Sequence, residues 1–444
     1  MLNLRFVDLF SGIGGIRLAF EQAVQSLELN TECVLSSEIN PDARWVYEKN
    51  FGHSPLGDIH QIKELPEHDV LLAGFPCQSF SYAGKKEGFG DTRGTLFFEI
   101  MRLIDTYKPH AFIFENVRGL HAHDGGKTLA TIKDEVQRRG YSFNSFLLNS
   151  ANFGLPQNRV RVYLVGTLKK NPQFSLISDL GPKDSHSYNH QQLSLFSPHA
   201  KYVTVADILE DNPDVKYDCS PEFIKALKRI LSNDLSQLHG RRMIDYRGGH
   251  SIHSWELGLR GECTPDEIKL MNLFILKRRN KTFGRHQDGK LLSQEQIATF
   301  FKHPDLDKIL DSLVSKKYLK RANGLYKPLA GNFSFEVYKF LYPSKIAVTL
   351  VASDANRIGV YQNNRVRRIT PREAARLQGF PDSFILHPDD DKAYYQLGNS
   401  VSINVVKAVA QDVIGNLLED KAGFPSQLRN IPTTYYFSTA TRQR

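Results

Sequence analysis

The amino-acid sequence predicts an α/β protein with a mostly parallel sheet, interrupted by a second, smaller domain. Three observations lead to this prediction. Short apolar runs alternate with segments of helical period over residues 1–166, and a glycine-rich turn follows the first apolar run. The same kind of pattern returns after about residue 368. A chain of 444 residues has room for about two or three domains.

The apolar runs of the first 166 residues have the composition of buried strands. They are rich in β-branched and aromatic residues and end in glycine, proline or acidic residues, as in RFVDLF, CVLSSE, DVLLAGFP, AFIFENV and RVYLVGTL. Between them lie segments such as IRLAFEQAVQSL and TLATIKDEVQRRG, whose apolar residues recur with helical spacing. Strands that alternate with helices indicate βαβ units and a mostly parallel sheet.

The pattern changes after about residue 167. Residues 172–200 are polar and without a period, which predicts a surface excursion. From residue 291, two helix-period segments (LSQEQIATFF and DLDKILDSLVSKKYLK) precede a basic strand, an Asn323-Gly324 turn and another strand, an order that resembles a winged-helix unit. Near the C-terminus, YYQLGNSVSINVVKAVAQDVIGNLL predicts a closing helix, and residues 424–444 a frayed tail.

The positive charge of the chain is concentrated in its middle. Residues 167–367 contain 31 Lys and Arg against 21 Asp and Glu, whereas the remaining residues are close to neutral. A polyanionic partner would explain this distribution, because Lys and Arg that neutralise phosphates release condensed counterions. On charge alone, a solvated basic surface explains it equally well.

The four cysteines, Cys33, Cys77, Cys219 and Cys263, form neither a CxxC pair nor a disulfide framework, which predicts free thiols in a reducing compartment. No stretch approaches about 18 consecutive apolar residues, and Asp8 interrupts the N-terminal apolar run where a signal peptide would continue it. We therefore expect a soluble, cytoplasmic protein without a membrane partner.

A glycine-rich turn from Ser11 to Gly15 follows the first predicted strand. Glycines let a backbone approach a ligand closely at a helix N-terminus, so the turn predicts a nucleotide-type cofactor site, with a purely structural turn as the alternative. A dinucleotide fingerprint would have a third glycine where this chain has Arg17, which disfavours nicotinamide or flavin. Glu38 can accept both hydroxyls of a ribose, and Asp58 can bind an adenine amino group.

Cys77 follows the apolar run DVLLAGFP and precedes the glycine-studded loop SYAGKKEGFGDTRG. A thiol at a strand-to-loop junction beside a basic loop is a candidate nucleophile, since thiolate fraction and exposure govern cysteine reactivity. The alternative is a small buried core cysteine. Glu115 and Asn116 lie at the end of the run AFIFENV, where Glu115 taken alone fits a solvated strand end. Arg159 and Arg161 alternate in LPQNRVRVYLVG, which places both on one face of a strand, and a solvated edge explains them equally well.

Polar groups follow several of the predicted strands where each strand ends. Because the carboxyl ends of parallel strands meet at one edge of a sheet, we expect these groups to face one crevice. They are Asp8, Glu38, Asp58, Cys77 and Glu115.

Eight motifs, taken in order, closely resemble those of the cytosine-C5 DNA methyltransferase family. They are FVDLFSGIGG, Glu38, Gly57-Asp58-Ile59, GFPCQSFS, FENV, QNRVR, RRITPREAARLQGFP and QLGNSV. The resemblance covers residues 4–166 and about 366–410 and leaves the basic middle of the chain unmatched.

The resemblance implies a Rossmann-like methyltransferase domain with an inserted target recognition domain, part of which has the winged-helix order. We expect the catalytic domain at residues 1–166, the recognition domain at 167–365, a return with a bracing and a closing helix at 366–423, and a tail at 424–444. The expected partner is double-stranded DNA, with S-adenosyl-L-methionine as cofactor and no metal.

The family's chemistry assigns the catalytic residues. Cys77 would attack C6 of the target cytosine, Glu115 would protonate or hydrogen-bond N3, and Arg161 would bind O2, with Arg159 orienting the site. The cofactor residues implied by the resemblance are Phe10, Gly12, Gly14, Gly15, Glu38, Ile39, Asp58, Ile59, Leu96 and Asn399. Ile39 stands where some members have a tryptophan on the adenine face.

A target base must leave the duplex to reach a buried nucleophile. The loop from Ser79 to Arg93 would close over the DNA, with Gln78 filling the gap left by the base. The basic segments 277–286 (which includes Lys277, Arg278 and Arg279) and 316–321 are expected to contact phosphates, and 241–255 (which includes Arg241 and Arg242) to contact bases.

Two other functions remain open on the sequence. One is a transfer-RNA cytosine-C5 methyltransferase on the same framework, and the other is a DNA-binding protein that has lost activity. The family context predicts a bacterial restriction-modification enzyme that acts as a monomer on nucleoid DNA, with a separate restriction endonuclease as its genetic partner.

Overall fold

The structure is a computed structural model that divides into two compact units. The first unit comprises Met1–Leu209, Ser344–Ala355 and Pro371–Arg444, and the second comprises Glu210–Pro343 and Asn356–Thr370. The described residues are 3–76, 95–168, 171–178, 203–246, 251–284, 291–329 and 335–419.

These boundaries differ from the expected second domain at 167–365, because the chain returns to the first unit at Ser344–Ala355 before the final return. Backbone hydrogen bonds explain this return. The Ala347 N–H donates to the Pro156 carbonyl at 2.7 Å, and the Asn158 N–H donates to the Ala347 carbonyl at 2.9 Å. Such pairing between distant segments leaves no local signal in the sequence.

The first unit is built on a six-stranded sheet with the order β2-β1-β3-β4-β6-β5. Neighbours β2, β1, β3 and β4 are parallel, and β6 is antiparallel to both β4 and β5, so the prediction of a mostly parallel sheet is confirmed. The strands are β1 (Asn3–Leu9), β2 (Asn30–Ser37), β3 (Val70–Ala73), β4 (Ala111–Val117), β5 (Asn144–Asn149) and β6 (Val160–Thr167).

Helices connect these strands, and local sequence sets their ends. Asn40 caps the second helix by accepting the Ala43 N–H at 3.0 Å, Pro41 occupies its first position, and Gly52 ends it with φ of 78°. The helices are α1 (Gly15–Ser26), α2 (Pro41–Phe51), α3 (Thr95–Tyr107), α4 (Gly119–Ala122) and α5 (Lys127–Arg138).

An apolar core lies between this sheet and the helices α3 and α5. It includes alternate residues of the central strands, such as Leu71, Phe112 and Phe114, together with Phe97 and Ile104 of α3. Burial of this apolar surface fixes which face of each strand points inward, and therefore which side chains reach the edge of the sheet.

The second unit contains short strands and helices around two cores. Its five-stranded sheet has the order β14-β13-β12-β7-β8, and its three-stranded sheet the order β10-β11-β9. The strands are β7 (Arg242–Met243), β8 (Ser251–Ile252), β9 (Leu292–Ser293), β10 (Leu319–Ala322), β11 (Leu325–Pro328), β12 (Lys339–Phe340), β13 (Ile358–Gln362) and β14 (Arg365–Arg368). The helices are α6 (Pro221–Ile230), α7 (Ser254–Leu257), α8 (Pro265–Lys277), α9 (Gln294–Ala298) and α10 (Leu306–Ser315).

The winged-helix order predicted from residue 291 is confirmed and extends further upstream. The elements run α8, β9, α9, α10, β10 and β11, and the three strands form one antiparallel sheet. They share a core that includes Leu270 and Phe274 of α8, Leu310 and Leu313 of α10, and Tyr326 of β11.

After β14 the chain re-enters the first unit as three helices: α11 (Pro371–Leu377), α12 (Asp390–Asn399) and α13 (Ile403–Glu419). The predicted closing helix is α13, which packs on α1 and donates from Gln411 Nε2 to Ser26 Oγ at 2.8 Å. In the described part of the chain, only Asp390–Leu418 is long and apolar enough to cross a membrane. Its most apolar window is 67% buried within the protein, as in a core helix.

Candidate active site

The glycine-rich turn after β1 has a backbone that excludes most side chains. Gly14 has φ of 88°, and a Cβ at this position would lie 2.2 Å from the Phe51 ring. A Cβ on Gly15 would lie 2.7 Å from Ser400 Oγ. The turn therefore needs glycine at both positions, and it brings the start of α1 next to the residue that follows Asn399.

Glu38 follows β2 and supports this turn. Its Oε2 accepts the Gly12 N–H at 2.9 Å, and its Oε1 accepts the Asn40 N–H at 2.7 Å. Each carboxylate oxygen has about two acceptor positions, so both oxygens can accept a further hydrogen bond from a ligand hydroxyl.

The other predicted cofactor residues differ in exposure. Ile39 is 71% exposed, as an apolar wall for a ligand would be, whereas the Ile59 side chain is 2% exposed in the core and leaves only its backbone for a ligand. Asp58 Oδ1 accepts the His60 N–H at 3.0 Å and lies 2.7 Å from His60 Nδ1, and these hydrogen bonds lower the pKa of Asp58. Phe10 has a positive φ of 54°, Leu96 is half-buried on α3, and Asn399 is exposed at the end of α12.

Asp8 was expected to face the crevice, and the structure contradicts this. Its side chain is fully buried, and neither oxygen has a hydrogen bond of ordinary geometry to the described residues. Burial raises the pKa of Asp8 to about 8, against the opposing effect of the Arg17 guanidinium. Arg17, which stands where a dinucleotide fingerprint has glycine, donates to Glu21 at 2.7 Å and to the Tyr47 hydroxyl at 3.1 Å.

Glu115 and Arg161 form a pair at the edge of the sheet. Glu115 lies near the carboxyl end of β4, and Val117 pairs with Arg161 at the amino end of the antiparallel β6. Arg161 Nε lies 3.3 Å from Glu115 Oε1, and the two side chains are 14% and 13% exposed. Burial raises the pKa of Glu115, while Arg161 and Arg159 oppose this increase.

Asn116 was not assigned a role from the sequence, although it lies in the FENV motif. It is buried, and its Nδ2 donates to the Phe75 carbonyl at 2.9 Å. Phe75 is two residues before Cys77. Asn116 therefore holds the main chain that leads to the predicted nucleophile against the end of β4.

Arg159 lies on the same face as Arg161 but has different surroundings. It is 3% exposed, and its Nη1 donates to the Leu350 carbonyl at 2.8 Å. Its Nη2 donates to the Ser400 carbonyl, and both terminal nitrogens lie 3.4 Å from the Gly398 carbonyl. Arg159 thus contacts both main-chain neighbours of Asn399.

A recess of about 430 Å³ opens beside Arg161. Its volume falls within the range of about 300–1,000 Å³ that is usual for small-molecule sites. Its lining includes Asn158, Val160, Thr349 and Arg118. No role was predicted for Arg118, which directly follows FENV.

Among the predicted DNA contacts, Arg242, Lys277 and Arg279 are exposed, and Arg241 is half-buried. Arg278 departs from the prediction, because it is 8% exposed and follows Phe274 by one helical turn on the buried face of α8. Cys77, Gln78 and Arg93 lie outside the described residues.

The comparisons with known proteins agree with the motifs. A model of the C-5 cytosine-specific DNA methylases matches residues 4–415. The Type II methyltransferase M.BanI of Aneurinibacillus aneurinilyticus is 55% identical over 422 residues, which is 95% of this chain and 98% of the relative. M.HgiCI of Herpetosiphon aurantiacus is 56% identical over 412 residues, 92% of this chain and 97% of the relative.

A solved structure shares the fold. A putative DNA modification methyltransferase encoded within an E. coli prophage superimposes with a TM-score of 0.52 at 21% identity, covering 93% of this chain and 99% of that one. The predicted Rossmann-like methyltransferase fold is thereby confirmed. Since the family model spans nearly the whole chain, the protein belongs to the C-5 cytosine-specific DNA methylase family.

Proposed function

We propose that the protein methylates C5 of a cytosine within a specific sequence of double-stranded DNA, as the modification enzyme of a Type II restriction-modification system. The family and the names of the relatives M.BanI and M.HgiCI support this function. The observation that carries it is the Glu115–Arg161 pair, 3.3 Å apart at the edge of the sheet.

Cys77 is the proposed nucleophile. C5 of cytosine does not take a methyl group unaided, so another group must first add to the ring at C6 and activate it. The Cys77 thiolate adds to C6, and electron density moves towards N3 and O2 of the ring. S-Adenosyl-L-methionine supplies an electrophilic methyl group when bound. Loss of the C5 proton to a base and cleavage of the bond between Cys77 and C6 then restore the aromatic ring and the thiolate.

Glu115 and Arg161 stabilise the charge that develops on the ring. Burial raises the pKa of Glu115, which favours the protonated carboxyl that can donate to N3. The Arg161 guanidinium, fixed beside it, donates to O2. Arg159 does not need to touch the base, since its hydrogen bonds hold the main chain around Asn399.

The cofactor site has features that fit S-adenosyl-L-methionine. Glu38 keeps acceptor capacity for ribose hydroxyls, and the exposed Ile39 offers an apolar surface to an adenine ring. The residues proposed to hold the cofactor are Phe10, Gly12, Gly14, Gly15, Glu38, Ile39, Asp58, Ile59 (through its backbone), Leu96 and Asn399.

The second unit is the proposed target recognition domain. The target nucleotide flips out of the duplex, at a cost of a few kcal/mol in pairing and stacking. Gln78 and Arg93 are assigned to the loop that closes over the DNA. The basic residues proposed to contact DNA are the exposed Arg242, Lys277 and Arg279 and the half-buried Arg241.

The test is bisulfite sequencing of DNA from cells that express the gene, with a Cys77→Ala variant as control. We expect methylated cytosines in one sequence context with the wild-type protein and none with the variant, although the variant still binds DNA. Methyl transfer that survives in Cys77→Ala would contradict the mechanism. Methyl transfer to transfer RNA but not to duplex DNA would identify the alternative substrate, and no transfer to either would identify an inactive homologue.

We further propose that the enzyme acts as a monomer in the bacterial cytoplasm on nucleoid DNA, with a cognate restriction endonuclease as a genetic rather than physical partner. The family context supports this proposal. Analytical ultracentrifugation of the free enzyme and of its DNA complex, with one protein chain per duplex expected, tests the monomer.

A further inference from the structure

The wing of the second unit, residues 317–328, carries charge of one sign. Its sequence contains Lys317, Lys320, Arg321 and Lys327 and no acidic residue. Asn323 and Gly324 form the tip with φ of 51° and 73°, which is the two-residue turn that joins tightly twisted hairpin strands. Residues 319–328 of the wing therefore form a regular β-hairpin, and its strands carry Lys320, Arg321 and Lys327.

Two of these lysines lie directly opposite each other. Lys320 of β10 pairs with Lys327 of β11, so both side chains point to the same face, and both residues are exposed. Like charges at opposite positions of an antiparallel pair are destabilising. Within the described part of the chain, neither lysine has an acidic partner. A bound polyanion would remove this repulsion.

The opposite face of the hairpin is used for packing. Arg321 pairs with Tyr326, which is 2% exposed, and the Arg321 guanidinium lies 5.5 Å from the centre of the Tyr326 ring. Arg321 Nη1 also lies 3.6 Å from Asp311 Oδ1. This face is thus engaged within the unit, and Lys320 and Lys327 are the lysines turned outward.

Helix α10 is acidic on its exposed face, in contrast to the basic wing. It buries Leu306, Leu310 and Leu313 and exposes Asp307 and Asp311. Its one lysine, Lys308, donates from Nζ to Asp305 Oδ1 at 2.8 Å. In helix-turn-helix proteins a helix enters the major groove between two phosphate backbones, where exposed carboxylates are repelled.

Lys316, a third basic residue beside the wing, is engaged in an ion pair. Its Nζ lies 2.7 Å and 2.9 Å from the two carboxylate oxygens of Glu267, whose side chain is 3% exposed. Lys316 therefore neutralises a buried carboxylate and links α8 to the start of the wing. Within the basic segment 316–321, the expected phosphate contacts are therefore limited to the outward face of the hairpin.

We propose that the winged-helix unit binds the phosphate backbone of duplex DNA through Lys320 and Lys327 of its wing, and that helix α10 stays outside the groove. The proposal rests on the proposed function, which makes duplex DNA the substrate. Duplex DNA is the proposed ligand because its negatively charged phosphates complement these two lysines, which have no acidic partner among the described residues.

The test compares Lys320→Ala, Lys327→Ala and the double variant with a matched control, Lys308→Ala on α10. Affinity of the full-length protein for a duplex oligonucleotide that carries the methylated sequence is measured between about 50 and 200 mM salt. Each phosphate contact contributes about 0.9 to the slope of log affinity against log salt. We expect each wing variant to lower the slope by about 0.9, and Lys308→Ala to leave it unchanged.

Equal slopes in the wild type and the wing double variant would overturn the proposal, as would an equal loss in Lys308→Ala. Urea unfolding separates binding from folding, since removal of either wing lysine relieves repulsion and should not lower the unfolding midpoint. Methyl transfer by the wild type is scored separately. If it is absent, the proposed function fails; if it is present and the slopes are unchanged, only the assignment of the wing fails.

Discussion

The two arginines at the start of β6 have different surroundings, and their replacement should have different consequences. Arg159→Ala removes the donor to the carbonyls of Leu350, Gly398 and Ser400 in a site that is 3% exposed. A buried acceptor left without a partner costs about 1–3 kcal/mol. Three carbonyls lose their donor, but the bonds to Gly398 are long and contribute less than the other two. We therefore expect a loss of about 3–5 kcal/mol in the free energy of unfolding.

Arg161→Ala should instead affect the chemistry. Arg161 donates to a single backbone carbonyl, that of Val160, and lies beside Glu115. When Arg161 is removed, Glu115 can take up a proton instead of remaining as a buried charge, so the stability cost should stay near about 1 kcal/mol. Loss of a preorganised donor to a developing oxyanion lowers the rate by about 10²–10³.

Urea unfolding and single-turnover methyl transfer at saturating DNA and cofactor separate these two effects. Arg159→Lys, which keeps the charge but not the planar fork, should lie between the wild type and Arg159→Ala in stability. If Arg159→Ala unfolds at the wild-type midpoint and loses only rate, or if Arg161→Ala loses several kcal/mol, the division of roles is wrong.

Three further predictions concern the support of the site. Because burial raises the pKa of Asp8 to about 8, the folded protein keeps a proton that the unfolded chain releases above its usual pKa, so stability falls as pH rises between these values. In Asp8→Asn, this decrease in the free energy of unfolding should be smaller by up to about 1.4 kcal/mol per pH unit. Urea unfolding of both proteins at about pH 5 and 7 measures it, and an equal decrease in the two proteins would contradict the prediction. Asn116→Ala loses the hydrogen bond to the Phe75 carbonyl and should lower kcat about 10²-fold. Cofactor affinity measured by calorimetry should stay unchanged. A normal kcat in this variant would argue against a role of Asn116 in positioning Cys77. Glu38→Ala releases the Gly12 and Asn40 N–H groups and should weaken cofactor binding at least about tenfold while DNA affinity without cofactor is retained, and cofactor affinity equal to the wild type would show that the turn needs no such support.

The place of Glu115 at the edge of the sheet could be predicted from the sequence, because it follows the apolar residues of the run AFIFENV. Arg161 was assigned to the same site only through the resemblance to the family. The direction of β6 could not be predicted, since an apolar run does not reveal whether it lies parallel or antiparallel to its neighbour. The antiparallel direction brings the amino end of β6 to the carboxyl end of β4. The short return at Ser344–Ala355 was likewise hidden, because it depends on hydrogen bonds to residues 156–158.

Two incorrect expectations had signals in the sequence. Asp8 lies within the apolar run from Phe6 to Leu9, all of whose residues are buried, so both faces of β1 are packed at this point and the side chain is enclosed. Arg278 continues the buried series Leu270, Met271, Phe274 and Ile275 of α8, and helical spacing therefore assigns it to the interior.

The packing of Gly15 against Ser400 has a consequence for biosynthesis. Chains emerge from the ribosome with the N-terminus first, so the turn after β1 is exposed long before its neighbour Ser400 has been made. A nascent chain thus lacks this wall of the proposed cofactor site until Ser400 has been synthesised. A premature stop codon before Asn399 would yield a product that retains Cys77 and Glu115 yet cannot complete that wall.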